Sequence, residues 1–327
     1  MINRLIWLET DNTYPYRNLA MEEYMTNHVP DGTCILFLWQ NRHTVVIGRN
    51  QNCWKECRGN FLEEEGGYLV RRLSGGGAVF HDLGNLNFTF IVRKPDYDVD
   101  RQLQVILEAV RRLGIQAEKT GRNDITVEGR KFSGNAFYQT GDCCYHHGTL
   151  LVHADKENMS RYLNVPREKL ASKGVSSVKS RVANLDEFCP GLTVDRVKAA
   201  LAEAFSQVYG QVAEKMEEKE LPEDAIGPLT QKFESWQWKY GRKIPFEHEM
   251  EQRFAWGGIQ MQFHVDGGRI QEVNVFSDAM DQEMIGNLAE RLKGCPYDGN
   301  AMCEAVKEAG TEGGIRQDIL YLIKESM

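Results

Sequence analysis

The sequence lacks an excess of basic residues. Its 327 residues include 39 Lys and Arg against 47 Asp and Glu, which gives a formal net charge of −8 at pH 7. Proteins that bind nucleic acid through its phosphates need a concentrated Lys and Arg surface. The charge balance therefore predicts no nucleic-acid partner, although it leaves room for a local basic pocket.

Long apolar runs are also missing. No run approaches the roughly 18 apolar residues that are needed to span a bilayer. The opening MINRLIWLETDNTYPYRN has neither the apolar stretch nor the small-residue cleavage site of a secretory signal. We therefore expect a cytoplasmic protein with no membrane partner.

The eight cysteines lack the repeated spacing of a disulfide framework. Cys53 and Cys57 form a lone CxxxC, and Cys143 and Cys144 are adjacent. A tetrahedral zinc site would need a second Cys or His pair at similar spacing, and neither pair has one nearby. We interpret them as the thiols of a reducing compartment.

The segments that are present predict an α+β fold. Strand-like runs dominate residues 33–153 without the regular strand and helix alternation of a doubly wound fold, so we expect mixed or antiparallel sheets. The strand-like runs are CILFLW, TVVIG, LNFTFIV, DITV and GTLLVH, and helical patterns lie near 18–27, 100–113 and 194–209.

A second domain is predicted from about residue 246. Residues 211–250 are charged, contain proline and show no sustained period, which indicates a connector. After it, GIQMQFHV alternates, DGG supplies the positive φ angles of a tight turn, and RIQEVNVF returns. Helical segments near 281–293, 300–309 and 315–325 complete a small α+β unit.

The first candidate site is RRLSGGGAVFHDLGNLNFTF, residues 71–90. Because Gly75–Gly77 have no Cβ, their N–H groups can approach a phosphate or carboxylate closely. The stretch is not a P-loop, since it contains no GxxxxGK[ST] and joins two extended segments. Arg71 and Arg72 precede the glycines and His81 follows them, although a flexible turn with solvated flanks is the alternative interpretation.

The second candidate site is GRNDITVEGRKFSGNAFYQ, residues 121–139, in which EG is expected to form a hairpin turn. In the returning strand we expect Lys131, Ser133 and Asn135 to share one face, with Gly134 on the other. A lysine among small and polar residues, followed by a strand glycine, indicates a cation directed into a site that another molecule enters. An exposed strand lysine is the alternative.

Asn123 and Asp124 precede this hairpin. Asp124 could ligate Mg²⁺, which proteins usually hold through one or two carboxylates together with substrate phosphates. The same two residues could equally form a turn with an Asx hydrogen bond.

Two further segments carry titratable groups. His146 and His147 are neighbours in an extended chain and point to opposite faces, so we expect one of them to line a pocket and not both to bind one metal. The stretch SKGVSSVKSRVANL contains Lys173, Lys179 and Arg181. It could order over an anionic intermediate, or it could be an ordinary solvated loop.

Taken together and in this order, the motifs resemble lipoate-protein ligase A. The resemblance begins at NLAMEEY and LFLWQNRHTVVIGRNQN, and it continues through both candidate sites, HHGTLLVHAD and KGVSSVKSRVANL. It extends into the C-terminal part at SWQWKYGRKIPF, RFAWGGIQMQF and LAERLKGCPY. It implies a catalytic domain with mixed β-sheets over residues 1–245, of the class II aminoacyl-tRNA synthetase and biotin ligase type, and a small C-terminal α+β accessory domain over residues 246–327.

The resemblance also implies a two-step reaction. Lipoate and ATP, with Mg²⁺, would give lipoyl-AMP and pyrophosphate, and a lysine of an acceptor protein would then attack the adenylate to form an amide. The implied acceptors are the lipoyl domains of 2-oxo acid dehydrogenase E2 subunits or the glycine-cleavage H protein. Activation is needed because a carboxylate is a poor acylating agent.

Matching motifs imply the site residues. Lys131 matches the catalytic lysine, which would hold the negative charge that develops between the lipoyl carboxylate and the α-phosphate. The positions that match the ATP and adenylate site are Arg72, Gly75, Gly76, Gly77, Ala78, Val79, Phe80, Asn123, Asp124, Lys179 and Arg181, with Asp124 as the metal ligand. Those that match the lipoate site are Leu19, Trp39, Arg71, Ser74, His81, Lys131, Ser133, Gly134, Tyr145 and His147.

Two other functions stay open. An ATP-independent octanoyl or lipoyl transferase of the same fold would use a cysteine thioester, and Cys143 and Cys144 are its candidate nucleophiles. The C-terminal accessory domain favours the ligase over this transferase. A scaffold that holds lipoylated domains without chemistry is the more distant alternative, against which Lys131 and the intact glycine loop argue.

Overall fold

A computed structural model of the protein describes residues 1–120, 124–164, 182–241, 246–309 and 313–327. The chain forms two compact units. Unit 1 comprises Met1–Val46, Glu56–Val70 and Val79–Lys239, and unit 2 comprises Ile47–Lys55, Arg71–Ala78 and Tyr240–Met327. Two short segments of the N-terminal half, one of them the glycine loop, therefore belong to the unit that the C-terminal residues build.

The described residues form fourteen strands. In chain order they are β1 (Arg4–Glu9), β2 (Thr33–Trp39), β3 (Thr44–Ile47), β4 (Tyr68–Arg71), β5 (Val79–His81), β6 (Asn85–Arg93), β7 (Glu118–Thr120), β8 (Asp124–Val127), β9 (Arg130–Thr140), β10 (Cys143–Leu151), β11 (Glu214–Met216), β12 (His248–Phe254), β13 (Gly257–Asp266) and β14 (Arg269–Ser277).

Helices alternate irregularly with these strands. Within the described residues they are α1 (Pro15–His28), α2 (Cys53–Glu56), α3 (Gly59–Glu64), α4 (Val99–Arg112), α5 (Lys156–Tyr162), α6 (Val194–Tyr209), α7 (Glu223–Glu234), α8 (Trp236–Tyr240), α9 (Gln282–Leu292), α10 (Gly299–Glu308) and α11 (Gly313–Ser326). Short 3₁₀ turns lie at Lys94–Asp96, Leu185–Glu187 and Glu218–Glu220.

Unit 1 is built on a mixed sheet with the strand order β11-β1-β2-β6-β10-β9-β8-β7. β1 pairs in parallel with both of its neighbours, β11 and β2. All the remaining neighbours in this sheet order, β2-β6-β10-β9-β8-β7, pair antiparallel. β2 is buried along its whole length, which agrees with its almost continuous apolar sequence. β6 is buried except at its last residue, Arg93, although it also contains Asn85, Asn87 and Thr89. These strands and α1, α4 and α6 confirm the predicted segments and the α+β class.

Helices cover both faces of this sheet. α4 and α6 pack together over one face, where Phe88 and Phe90 of β6 join the main hydrophobic core. α4 begins at Asp98, whose side chain accepts a hydrogen bond from the backbone N–H of Arg101 and so caps the helix. α1, which has Pro15 at its first turn, packs near β6 and β10 on the opposite face.

The EG turn between β8 and β9 has the predicted geometry. Glu128 and Gly129 have φ angles of 49° and 73°. Positive φ at both central residues is the requirement of a two-residue type I′ hairpin. This turn sets where β9 begins, and therefore where Lys131 lies against β8.

The prediction of a connector over residues 211–250 is wrong for most of that range. β11 pairs with β1 at the edge of the large sheet, and α7 packs against α1. Arg17 of α1 donates hydrogen bonds to Glu218 and Glu223. Residues up to Lys239 therefore belong to unit 1, because charge pairing and an edge strand stabilise a segment that has no apolar periodicity.

Unit 2 contains the antiparallel sheet β12-β13-β14 with α9, α10 and α11. The alternating residues Ile259, Met261 and Phe263 point into its hydrophobic core. Gly267 and Gly268 have φ angles of 56° and 72°, so the DGG turn is confirmed.

The glycine loop joins β4 and β5, which pair on either side of β3 in a further small sheet, so it connects two extended segments as expected.

Candidate active site

Lys131 lies near the start of β9 in unit 1, paired with Asp124 of β8. Its Nζ is 2.6 Å from Asp124 Oδ1, and the two side chains are 23% and 13% exposed. The Lys131 carbonyl accepts a hydrogen bond from the N–H of Ala183 at 2.9 Å. A partly buried carboxylate this close stabilises the charged amine, so the lysine is held as a cation at a defined point.

The expectation that Lys131 and Asn135 share a face is wrong. The register of β8 against β9 shifts by one residue beside Lys131, and such a bulge reverses the alternation of side chains. Lys131 Nζ therefore lies on the side on which a Cβ of Gly134 would project. Asn135 Oδ1 instead lies on the opposite face, 2.8 Å from Nε2 of His146.

His146 is a structural residue of the apolar face. Its ring lies beside Phe88, Phe90 and Phe137, and its Nδ1 is 3.1 Å from the side-chain oxygen of Gln102. Burial lowers the pKa of His146 to about 3, because no charged partner compensates for the loss of water. The ring is therefore neutral at physiological pH.

His147 faces the other side, where a buried polar chain crosses four elements. Trp39 Nε1 donates to Thr89 Oγ1 at 3.1 Å, and the Thr89 hydroxyl donates to Glu22 Oε1 at 2.7 Å. His147 Nδ1 lies 2.9 Å from the same carboxylate oxygen. The Glu22 side chain is only 1% exposed. Tyr145 adjoins this chain, with its ring centroid 4.7 Å from that of His147.

Sequence reasoning missed Glu22 and Thr89, although it selected both ends of this chain. The available signal was that Glu22 follows Leu19 at helical i+3 spacing in the segment NLAMEEY, so the two side chains share a face of the helix. Leu19 and Glu22 are both buried in α1. A buried carboxylate needs partners, and their identity depends on β6 and β10, which are far away in the sequence.

His81 lies close to the same cluster. Its ring centroid is 6.4 Å from that of Trp39, and its Nδ1 is 3.3 Å from the side-chain nitrogen of Asn41. Asn41 in turn accepts a hydrogen bond from Asn18 of α1. The structure therefore brings together four of the residues expected at the lipoate site, Trp39, His81, Tyr145 and His147, and Leu19 is buried in α1, the helix that carries Glu22.

In unit 2, Arg72 shapes the glycine loop from inside. Its guanidinium donates to Ser74 Oγ at 3.0 Å, to the Gly75 carbonyl at 2.7 Å and to the Gly77 carbonyl at 2.9 Å. Its backbone N–H bonds to the carbonyl of Ile47. Arg72 is buried, and in this conformation it fixes the path of the backbone through Gly75–Gly77.

Arg71 has a similar function one residue earlier. Its Nη1 donates to the backbone carbonyls of Gly48, Arg49 and Gln51 at 3.1, 3.0 and 2.7 Å. A single guanidinium nitrogen thus closes the turn after β3, because several orphan carbonyls converge on one positive charge. A direct contact of Arg71 with lipoate stays a prediction.

The glycine loop also packs against the segment before α9. The N–H of Gly76 donates to the Ala279 carbonyl at 3.2 Å. A Cβ on Gly75 would lie 2.4 Å from that carbonyl oxygen, and Gly76 has a φ of 88°. Both positions therefore require glycine for steric or conformational reasons within unit 2, besides the predicted approach of an anion.

Some of the remaining predicted site residues lie in the described part of the chain, and the others lie outside it. Val79 and Phe80 belong to β5, where Phe80 is buried and stacks on Tyr162 with 5.6 Å between ring centroids. Ala78 ends the glycine loop, and Ser133 is buried in β9. Asn123, Lys173, Lys179 and Arg181 lie outside the described residues.

The two adjacent cysteines lack the environment of a nucleophile. Cys143 and Cys144 are buried, and burial raises the pKa of the Cys144 thiol. A catalytic cysteine needs a lowered pKa and a base in contact with it. The nearby His146 is neutral and bonded to amides, and the Nδ1 of His147 faces Glu22.

Preformed metal clusters and membrane helices are both absent from the described part of the chain. Its residues contain no group of three or more His, Cys, Asp or Glu side chains that could hold a metal ion. No described helix is both long enough and apolar enough to cross a membrane.

The mixed sheet of unit 1 and the helices that cover it form an α+β catalytic domain of the lipoyl protein ligase type. Residues 14–206 match the model of the lipoyl protein ligase A/B catalytic domain, and residues 243–319 match that of the bacterial lipoate protein ligase C-terminus. The chain belongs to the lipoyl protein ligase A/B family and is a lipoate-protein ligase.

Solved structures support this assignment. LipL1 of P. falciparum in complex with lipoate is 28% identical, covers 97% of this chain and 99% of its own, and superposes with a TM-score of 0.84. A bipartite lipoate protein ligase from Thermoplasma acidophilum, studied with its E2 lipoyl domain, is 30% identical over 75% of this chain and 99% of its own, with a TM-score of 0.63. A lipoate-protein ligase A bound with ATP is 28% identical over 74% of this chain and 99% of its own, also with a TM-score of 0.63.

Proposed function

We propose that the enzyme activates lipoate with ATP and transfers the lipoyl group to a lysine of an acceptor protein. A lipoate carboxylate oxygen bonds to the α-phosphorus, the bond to the β-phosphate bridge breaks, and pyrophosphate leaves. The acceptor amine then bonds to the acyl carbon, AMP leaves, and the new amide nitrogen releases its proton to solvent. Similar ligases have been solved with lipoate and with ATP.

The observation that carries this proposal is the Lys131 ammonium, held 2.6 Å from Asp124 in a partly buried position. The first step brings two anions together, and the second releases a charged leaving group. A fixed cation shielded from water stabilises both better than a solvated one. Lys131 is therefore the proposed catalytic residue, with its charge directed at the lipoate carboxylate and the α-phosphate.

The buried chain from Trp39 to His147 supports lipoate as the substrate. Leu19, Trp39 and Tyr145 are large buried side chains of mostly apolar character, and the contact between Glu22 and His147 adds a few fixed polar groups. A mostly apolar site with few polar groups suits a hydrocarbon chain that ends in a polarisable dithiolane.

The proposed nucleotide site uses Arg72, the loop Gly75–Ala78, and Val79 and Phe80, and extends to Asn123, Lys179 and Arg181. The support from geometry is that the glycines carry no side chains and that Arg72 fixes their backbone. These residue roles rest on the resemblance and are part of the proposal.

Mg²⁺ fits one of the described residues. Asp124 supplies the hard oxygen donor that Mg²⁺ prefers, and as a single carboxylate it would hold the ion together with nucleotide phosphates. When bound, the ion would supply positive charge to the phosphate oxygens. Asp124 is the proposed metal ligand, and it also stabilises the Lys131 cation.

The acceptors proposed are E2 lipoyl domains or the glycine-cleavage H protein. The similar archaeal ligase was studied with its E2 lipoyl domain, which supports the first of these. We also propose a cytoplasmic location, and an accessory domain that begins near residue 246 and is joined to a catalytic domain of residues 1–245.

The proposal is tested by the Lys131→Ala variant of the full chain. Wild-type protein should release pyrophosphate only when lipoate, ATP and Mg²⁺ are all present, and should add one lipoyl mass to an acceptor domain. Lys131→Ala should lower the rate of pyrophosphate release by about 10²–10³ while the protein stays folded. Wild-type protein that releases none, or a variant that releases it at the wild-type rate, would contradict the proposal.

A further inference from the structure

We infer that Gly134 is a positioning residue, because the space left by its missing side chain holds the Lys131 ammonium in place. The inference rests on the proposed function and deepens it by assigning how the catalytic amine is oriented. It differs from the expected role of Gly134 as a direct lipoate contact. Here the glycine acts on the reaction only through the lysine.

The geometry makes a side chain at position 134 incompatible with the observed lysine. A Cβ added to Gly134 would lie 2.7 Å from Lys131 Nζ and 2.9 Å from Lys131 Cε. Non-bonded carbon contacts are favourable at about 3.5–4.0 Å and repulsive well below that. An alanine methyl and the lysine tip therefore cannot occupy these places together.

A carboxylate restrains the amine in the same region. Asp124 is the cross-strand partner of Gly134, and its Oδ1 lies 2.6 Å from Lys131 Nζ. The charge of Asp124 attracts the ammonium toward this part of the hairpin, and the bare backbone of Gly134 gives it room. The β-bulge beside Lys131 allows the lysine to reach over Gly134, because it turns the side chain to that face.

Folding alone does not explain a glycine at this position. Gly134 does not have a positive φ, so any residue can adopt the backbone conformation at this position. The next nearest atom to an added Cβ is Thr149 Oγ1 at 3.9 Å, which is an ordinary contact. An alanine would displace only the far end of a flexible lysine, so Gly134→Ala should fold normally.

Displacement of the amine should affect the charged substrate selectively. A shift of about 1 Å at a reacting group can lower a rate by about 10². We expect Gly134→Ala to slow lipoate-dependent pyrophosphate release by about that factor. Loss of a charge-assisted hydrogen bond should weaken lipoate binding by about 10-fold to 100-fold. Lipoamide, which has the same chain but no carboxylate, should bind with unchanged affinity.

The experiment measures lipoate and lipoamide affinities by calorimetry, and pyrophosphate release, for wild type, Gly134→Ala, Lys131→Ala and the double variant. Because Gly134 acts through Lys131, adding Gly134→Ala to Lys131→Ala should change neither the rate nor the affinities further. Gly227→Ala is the matched control, since a Cβ there meets no atom within 4 Å. It should behave as wild type.

The outcomes separate the inference from the proposed function. Wild-type protein that neither binds lipoate nor releases pyrophosphate would refute the proposed function. If wild type is active, an equal loss of lipoate and lipoamide binding in Gly134→Ala would overturn the positioning role, as would an unchanged lipoate to lipoamide ratio. Additive effects in the double variant would also overturn it, because they would show that Gly134 acts independently of Lys131.

Discussion

Replacing Glu22 by alanine is expected to destabilise unit 1 strongly. The carboxylate is 1% exposed and accepts the Thr89 hydroxyl at 2.7 Å, with His147 Nδ1 at 2.9 Å. Removing it leaves two buried polar groups without their acceptor. Each such group costs about 1–3 kcal/mol, so the free energy of unfolding should fall by about 2–6 kcal/mol.

Glu22→Gln provides a graded comparison for the same site. Thr89 and His147 both contact Oε1 of Glu22, so the carbonyl oxygen of a glutamine can keep both contacts with its two lone pairs, but it is a neutral acceptor and therefore a weaker one. We expect a smaller loss of about 1–3 kcal/mol. Glu203→Ala is the exposed control, since Glu203 is 67% exposed in its ion pair with Arg112. Its effect should be within about 1 kcal/mol of zero.

The assay is urea unfolding of the full chain, followed by tryptophan fluorescence and circular dichroism. The slope m should be the same in all variants if only the native state is affected. Equal stability of wild type and Glu22→Ala would refute the reasoning, because it would mean that the buried chain contributes nothing. A larger loss in Glu22→Gln than in Glu22→Ala would contradict the argument from unpaired donors.

Three other predictions concern stability and the rival chemistry. Burial lowers the pKa of His146 to about 3 in the folded state, against an ordinary value of 6.5. Between pH 7 and pH 5 only the unfolded state therefore takes up a proton at this residue. The free energy of unfolding should fall by on the order of 2 kcal/mol over this range. The variant His146→Leu should lack this part of the pH dependence when urea unfolding is measured at the two pH values. An equal loss of stability from pH 7 to pH 5 in the variant and in wild type would contradict the prediction. Gly75→Ala should lower the unfolding temperature of unit 2, because its Cβ would meet a backbone carbonyl oxygen at 2.4 Å, whereas Gly286→Ala, with no atom within 4 Å, should not. Changing Cys143 and Cys144 together to serine should leave acceptor lipoylation by the folded enzyme intact, and its loss would support the thioester mechanism.

The sequence predicts the elements that bury apolar side chains with a clear period. The central strands β2 and β6, the helix α4 and the hairpin of β13 and β14 follow from such patterns. β11 could not be predicted in this way, because it is a three-residue edge strand, Glu214–Met216, with exposed charged residues. Its place in the fold depends on pairing with β1, which is more than 200 residues away. Local patterns carry no information about such a partner.

The residue types of the candidate site were predictable from motifs, but their contacts were not. The sequence predicts Lys131 as a strand lysine near a glycine, and Lys131 does lie in β9, but alternation predicts the wrong face for it relative to Asn135. A bulge of one residue reversed the faces, and its position depends on the register of two strands. Glu22 was missed because a single buried carboxylate in a helix has no sequence signature apart from its apolar neighbours.

The adjacent residues His146 and His147 show how one strand separates structure from chemistry. Side chains of β10 alternate, so His146 enters the apolar face beneath α4, where burial lowers its pKa and keeps the ring neutral. His147 enters the face of α1 and meets the Glu22 carboxylate, a charged partner that water does not screen. Histidine thus packs among apolar side chains on one face of the strand and contacts a polar partner on the other. A substitution at His146 should therefore act on stability alone, while one at His147 should lower stability by removing a partner of Glu22 and should also affect the binding of a substrate, because the face of His147 carries the Lys131 cation.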